Sequence, residues 1–263
     1  MFTSQARFNL AFSQALLDRR IVPYLQPIVM LSDGTVAGFE ILARWDDPVY
    51  QSIDATTFIH LADRGGLLDE LLTSLLDQAL SVVATWPHNL FLAFNVSPTQ
   101  LRNPSLPDLI FGMASDFGVA ASRLHVEITE TAILSDESAA KSILMRFLEM
   151  GFGVSMDDFG TGYSSLASLR TLPFSKIKID TSFVRSMQEQ RESRKIVSAV
   201  VGLGQSLGVD TVAEGVETEE QLAQLRAAGC TEVQGYLVSR PVAAETVAPM
   251  LIRAGVEMAG RRF

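Results

Sequence analysis

The densest chemistry in this sequence lies in Met156-Asp157-Asp158-Phe159-Gly160-Thr161-Gly162-Tyr163-Ser164-Ser165, where an apolar run ends in two adjacent carboxylates and a glycine-punctuated loop. Phe152, Val154 and Met156 alternate with Gly153, Ser155 and Asp157, so a strand here places Asp157 on one face and the apolar side chains on the other. Asp158 has the wrong parity to share that face within a regular strand. At a strand end the chain is already turning, and Gly160 and Gly162 permit the backbone angles of such a turn. Two carboxylates that converge on one point repel unless positive charge lies between them. One divalent cation, or a pair, would supply it.

Other apolar runs also end in polar residues: Glu40, Asn95, Glu127, Asp157 with Asp158, Lys178, Glu214 and Gln234, in chain order. Five carboxylates and an asparagine, with no His or Cys among them, form a hard oxygen-donor set that suits Mg²⁺ or Mn²⁺ rather than zinc. A general acid/base pair without metal would leave several of these carboxylates unneutralised. Lys178 has the chemistry of a Schiff-base lysine, yet among carboxylates it reads more simply as a charge partner or water-orienting group. His60, His88 and His125 have no ligand-like spacing and are expected to be structural or solvated.

The elements that must position these residues follow from periodicity. A helix over 6–17 leads to strands at 21–30 and 36–43, joined by the turn Leu31-Ser32-Asp33-Gly34-Thr35. Such a short link cannot carry a parallel crossover, so this pair is antiparallel. Helices are expected at 55–63, 66–86, 103–117, 137–150, 189–207, 219–228 and 243–254, and strands at 90–96, 124–129, 152–157, 175–180, 209–213 and 231–234. Eight strands, mostly followed by helices, predict an α/β fold: a closed (β/α)8 TIM-like barrel with one antiparallel strand from an opening β-hairpin. An open doubly wound sheet is the competing topology. The strand-end residues favour the barrel, which gathers strand ends remote in sequence into one volume. Glu40 lies in the opening hairpin, whose direction relative to the other strands the pattern leaves open.

The chain of 263 residues reads as one domain, with an N-terminal helix within 1–20 and a helical tail over 241–263. Hydrophobic residues at 48% and charged residues at 19% provide for a sizeable core. Cys230 stands alone, which excludes an internal disulfide framework and suits a reducing compartment such as the cytoplasm. No apolar run approaches the roughly 18 residues of a membrane span. A formal charge of −9 argues against binding of a DNA or RNA duplex through its backbone.

From Tyr24-Leu25-Gln26-Pro27-Ile28-Val29 to Gln234-Gly235-Tyr236-Leu237 the chain resembles the EAL domain family of cyclic-di-GMP phosphodiesterases. The naming motif appears as Glu40-Ile41-Leu42 with Arg44 two places on. Further matches are Asn95-Val96-Ser97, Glu127-Ile128-Thr129-Glu130, the Asp157 to Ser165 stretch quoted above, Lys176-Ile177-Lys178-Ile179-Asp180 and Ala213-Glu214-Gly215-Val216-Glu217-Thr218.

The resemblance implies hydrolysis of cyclic di-GMP to linear pGpG with two Mg²⁺ or Mn²⁺ ions and inhibition by Ca²⁺. Glu40, Asn95, Glu127 and Asp157 would hold one ion, with Asp157 bridging to a second held by Asp158 and Glu214. Glu40, Asp157, Lys178 and Glu214 would be the catalytic residues. Lys178 and Gln234 would position the attacking water or its neighbours, and Gln26, Arg44 and Gln234 would meet the substrate. Glu130 and Glu217 would anchor surrounding loops. The resemblance also implies a homodimer, with a fused or partner sensor domain. The alternative is a catalytically silent receptor for the same nucleotide that acts through a protein partner. Ile41 departs from the family's Ala but faces away from Glu40 in a strand. His60-Leu61-Ala62-Asp63-Arg64 departs from Pro-Leu-Ala-Glu-Glu and would bear on ligand contacts or turnover.

Overall fold

The computed structural model describes residues 5–47, 50, 53–161, 172, 174–247 and 251. Helix α1 (Gln5–Leu17) buries Phe8 and Phe12 against Trp45, with ring centroids 6.1 and 5.5 Å apart. Strands β1 (Ile21–Met30) and β2 (Val36–Trp45) form the expected antiparallel hairpin, in register from Ile21↔Trp45 to Ile28↔Gly38, with a register shift before Val29↔Val36. From β2 onward every neighbouring pair is parallel: β3 (Phe91–Asn95), β4 (Leu124–Thr129), β5 (Gly153–Phe159), β6 (Lys176–Ile179), β7 (Asp210–Ala213) and β8 (Glu232–Val233). Strand β1 closes the circle, antiparallel to β8 through Val29↔Val233 and Met30↔Glu232. It is therefore β1 that runs backwards. β2 joins the parallel set in register Glu40↔Ala93, which brings Glu40 to the same barrel end as the other strand-end residues.

Helices α2 (Ala55–Gly65), α3 (Leu68–Val83), α4 (Leu106–Asp116), α5 (Glu130–Ser135), α6 (Glu137–Glu149), α7 (Thr181–Ser186), α8 (Arg191–Leu207) and α9 (Glu219–Ala228) alternate with the strands. In α3, Leu68, Leu71, Leu72, Leu75, Leu76, Ala79, Leu80 and Val83 are buried, the stripe that a 3.6-residue period dictates. Each leucine fully removed from water contributes about 2 kcal/mol. Thr218 and Gln221 form a reciprocal capping box at the start of α9, and Gly229 ends it in the left-handed conformation at φ 84°. No helix among the described residues is long and apolar enough to cross a membrane.

Helices α5 and α7 were not foreseen. Each has six residues, too few for a periodic signal, and each is started by a cap: Thr129 accepts from Ala132 N and Asp180 from Ser182 N. Half of the helix expected over 243–254 lies outside the described residues, and Val247 and Leu251 within it are helical. Its first positions differ from expectation: Val242–Ala243 pairs with β1 as the short strand β9, and Ala244–Thr246 is a 3₁₀ turn. A two-residue strand on a barrel's rim is a tertiary contact that no local propensity encodes.

The core has two parts. A large outer layer lies between strands and helices. Inside the barrel, Ile28, Phe91, Ala93 and Val212 form a small apolar plug. Phe91 of this plug stacks on His125 with ring centroids 4.3 Å apart. Gly38 and Gly153 make that stack possible, since a Cβ on either would come within 2.6 Å of Phe91 or 2.7 Å of His125.

Candidate active site

Period-two alternation aims one residue of each strand end along the barrel axis. Lys178 on β6 is the centre of the group, its side chain 1% exposed. Its ammonium lies 2.7 Å from Glu214 Oε1, 2.8 Å from Glu127 Oε2, 3.4 Å from Asp157 Oδ1 and 3.5 Å from Glu40 Oε2. Asn95 donates to Glu40 Oε1 at 2.8 Å, and Gln234 donates to Glu40 Oε2 at 2.7 Å. Gln234 is also 3.1 Å from Gln26 Oε1, and Gln26 donates to Ser239 O at 3.2 Å. Both oxygens of Glu40 are thus gripped by amides, which fixes its orientation.

Asp158 reaches the site by a route that parity did not provide. Met156 pairs with Ile177 and Phe159 with Ile179, so β5 spends one more residue than β6 over the same span, a bulge. Asp158 takes up the difference in the left-handed conformation at φ 53°, at a cost of about 1 kcal/mol or more for a non-glycine residue. Sequence assigned the turn to Gly160 and Gly162. Gly160 does adopt φ 97°, Gly162 lies outside the described residues, and the decisive reversal is at Asp158 itself. As a result Asp157, Asp158 and Glu214 each present a carboxylate oxygen within 4.8 Å of the others, an arrangement that could hold a metal ion.

The electrostatics follow from four carboxylates gathered around one ammonium, with Asp158 beside them. Burial pushes Glu214 up to about 8, with Asp157 and Glu40 adding repulsion against the pull of Lys178. Burial, Asp157 and Asp180 push Asp158 up to about 6. Glu127 is raised well above the carboxylate range, foremost by burial. Burial also disfavours a charged Glu40, but Lys178 and the amides of Gln234 and Asn95 outweigh it and hold Glu40 below its usual value. Burial likewise opposes the Lys178 charge, and the surrounding carboxylates more than reverse that, holding it well above the lysine range. A neutral, nucleophilic amine is thereby disfavoured, so the Schiff-base alternative loses its requirement.

The cavity at this mouth, about 270 Å³, is lined by Gln26, Glu40, Leu42, Asp157, Glu214 and Gln234, with Thr181, Arg185, Glu217 and Tyr236 on its rim. Arg44 stands four residues beyond Glu40 on the same strand face, its guanidinium 5.8 Å from the Tyr24 ring centroid. Glu217 accepts from Arg185 at 2.7 Å. Glu130 is 3% exposed and opens α5, so it is buried rather than solvated; half of the loop it was expected to anchor, 162–165, lies outside the described residues. Asp63, in the stretch that departs from the family pattern, accepts from Thr99 at 2.6 Å. His60 and His88 are exposed and His125 is packed on Phe91, so none of the three enters the site. Sequence reasoning missed Asp180, Thr181, Arg185 and Tyr236. Asp180 shares the parity of Lys178 and was within reach; Thr181 and Arg185 sit one turn apart on α7, a helix too short to detect.

The model of the EAL domain matches residues 9–241. An uncharacterized signaling protein of Caulobacter vibrioides is 44% identical over 91% of this chain and 30% of its own length. The cyclic di-GMP phosphodiesterase RocR of Pseudomonas aeruginosa is 40% identical over 83% of this chain and 57% of its own length. The chain therefore spans between about a third and just over half of these relatives. Among solved structures, the PaMucR phosphodiesterase in complex with c-di-GMP superposes with a TM-score of 0.87 at 36% identity, covering 92% of this chain and 99% of that one. The family match and the shared barrel agree with one another, and the chain belongs to the EAL domain family.

Proposed function

We propose that this domain is a phosphodiesterase that hydrolyses cyclic di-GMP to linear pGpG with two Mg²⁺ or Mn²⁺ ions. The observation that carries this reading is the charge imbalance at the mouth. Glu40, Glu127, Asp157 and Glu214 surround Lys178, Asp158 joins Asp157 and Glu214, and no second cation pairs with them among the described residues. The donors are all oxygen, and carboxylates pushed up toward neutrality are those a divalent cation would relieve. RocR and PaMucR, both named as phosphodiesterases, support the same assignment.

In this reading Glu40, Asn95, Glu127 and Asp157 would hold one ion, and Asp157, Asp158 and Glu214, whose oxygens already converge, would hold the other. When bound, the ions supply Lewis acidity and charge neutralisation for displacement by water at a phosphodiester. The chain's own groups do the positioning. Lys178 stays protonated and offers a donor at the centre of the carboxylates. Asn95 and Gln234 lock Glu40, and the amide of Asn95, donating through nitrogen, leaves its carbonyl oxygen for another partner. Arg44, braced by Tyr24, presents a guanidinium to a phosphate, and Gln26 carries the amide chain to the cavity wall. Glu130 and Glu217 anchor the adjoining loops, and a cytoplasmic homodimer linked to a sensor domain belongs to the same proposal.

The test is incubation of the protein with cyclic di-GMP and Mg²⁺ or Mn²⁺, with Ca²⁺ and excess chelator in parallel, followed by chromatographic separation. Linear pGpG should form with Mg²⁺ or Mn²⁺, poorly with Ca²⁺, whose looser shell positions water badly, and not with chelator. Undiminished turnover in chelator would overturn the metal assignment, and tight nucleotide binding without product in every metal arm would make the domain a receptor.

A further inference from the structure

A second buried charge pair lies on the same strand faces as the mouth, two residues deeper. Lys176 precedes Lys178 on β6, and Glu232 precedes Gln234 at the end of β8. Lys176 Nζ lies 2.5 Å from Glu232 Oε1, with side-chain exposures of 8% and 4%. β7 separates the two strands in the sheet, so this bond joins two non-adjacent staves of the barrel from the inside. Lys176 also sits 4.8 Å from the Phe91 ring centroid and 3.8 Å from Asp210.

Two strand residues rise about 7 Å. An unpaired ammonium at that depth would add its field to the Lys178 charge, and the interior screens such a field far less than water does. The bond also ties together the two strands that deliver Lys178 and Gln234 to the mouth.

We propose that Lys176 and Glu232 are a positioning pair for the metal site. Glu232 cancels the Lys176 charge, so that an incoming divalent cation meets the field of Lys178 alone. This inference rests on the metal-binding reading above, and neither residue touches metal or substrate.

Mn²⁺ binding measured by titration calorimetry, without nucleotide, separates the two readings. Glu232→Gln, which leaves Lys176 only the half-exposed Asp210 as partner, should weaken Mn²⁺ about tenfold, and Lys176→Gln/Glu232→Gln should return to within about threefold of the parent. A merely structural pair would give the reverse order, with the double variant at least as impaired as the single one. Asp210→Asn, at a half-exposed side chain, should weaken Mn²⁺ about twofold and keeps the question decidable if Glu232→Gln does not fold. Unchanged Mn²⁺ affinity in folded Glu232→Gln, or in Asp210→Asn where Glu232→Gln is unfolded, overturns the proposal, as does a double variant no better than the single. Failure of the parent protein to bind Mn²⁺ would instead remove the metal reading itself.

Discussion

Lys178 and Lys176 stand two residues apart on one face of β6, and both are buried, with side-chain exposures of 1% and 8%. Their surroundings differ in kind. Lys176 pairs with Glu232, has the half-exposed Asp210 at 3.8 Å and rests on the Phe91 ring, so the floor of the barrel balances its own charge. Lys178 has four carboxylate oxygens within 3.5 Å, and the mouth carries negative charge that the protein does not neutralise. Burying charge without compensation costs several kcal/mol. The floor avoids that cost by pairing. The mouth bears it, and there the oxygens of Asp157, Asp158 and Glu214 converge in an arrangement that could hold a metal ion.

The sharpest way to break this contrast is Asp157→Asn, which removes charge from the residue assigned to both ions. Hydrolysis should fall about a thousandfold or more while the fold persists and some nucleotide still binds through Arg44 and the cavity wall. Turnover close to that of the parent would refute the bridging role.

Comparable substitutions of the two lysines come next. Lys178→Met should lower turnover at saturating Mg²⁺ about a hundredfold. Lys176→Met strands Glu232 in the floor, so it should cost about 3 kcal/mol of stability yet leave turnover per folded molecule at saturating Mg²⁺ within about threefold. Denaturant titration and initial rates on the same preparations measure both. Equal losses of turnover would abolish the distinction between floor and mouth.

The two ends should also respond to pH with opposite slopes. In the floor, burial and then Lys176 push His125 down from 6.5 to about 4. A histidine whose folded pKa lies below its unfolded one contributes stability that is complete above the unfolded value and lost as pH falls toward the folded value. That loss, about 2 kcal/mol for this partly buried ring, belongs to the window from pH 6.5 to 4. At the mouth Glu214 rises from 4.5 to about 8 and Asp158 from 3.8 to about 6. Their contribution in metal-free protein is present below the unfolded values and is lost as pH rises through the folded ones. The two slopes oppose each other between pH 4.5 and 6 and leave Glu214 alone from pH 6.5 to 8, so thermal unfolding in chelator should fall across that alkaline window, and Mg²⁺ should remove the fall by binding the deprotonated carboxylates. An alkaline limb indifferent to Mg²⁺ would contradict the assignment.

The smallest effect is expected at Gly153→Ala, whose Cβ would come 2.7 Å from the His125 ring. Overpacking of this kind costs about 1–2 kcal/mol, read as a few degrees in thermal unfolding, with little change in turnover because the floor yields before the mouth does. A large loss of turnover without loss of stability would mean that the two layers are coupled more tightly than their separation suggests.

Much of this site was legible in the sequence because each strand is a local object. Alternation placed Asp157 opposite Val154 and Met156, the short link between the first two strands forced them antiparallel, and the EAL motifs named Glu40, Glu127, Lys178 and Glu214 in order. The C-terminal cap at Gly229 follows from residue type as well. What the sequence alone determined is therefore which residues occupy which faces, since pleat and periodicity are properties of a single segment. Tertiary structure decided how the segments meet. Closure against β8 made β1 the reversed strand and thereby carried Glu40 to the mouth. Register against β6 produced the bulge that turns Asp158 toward Glu214. The interior of the barrel joined Lys176 to Glu232 across 56 positions of chain. None of these has a local signal, because each is fixed by the fit between remote segments once the barrel is closed and its interior packed.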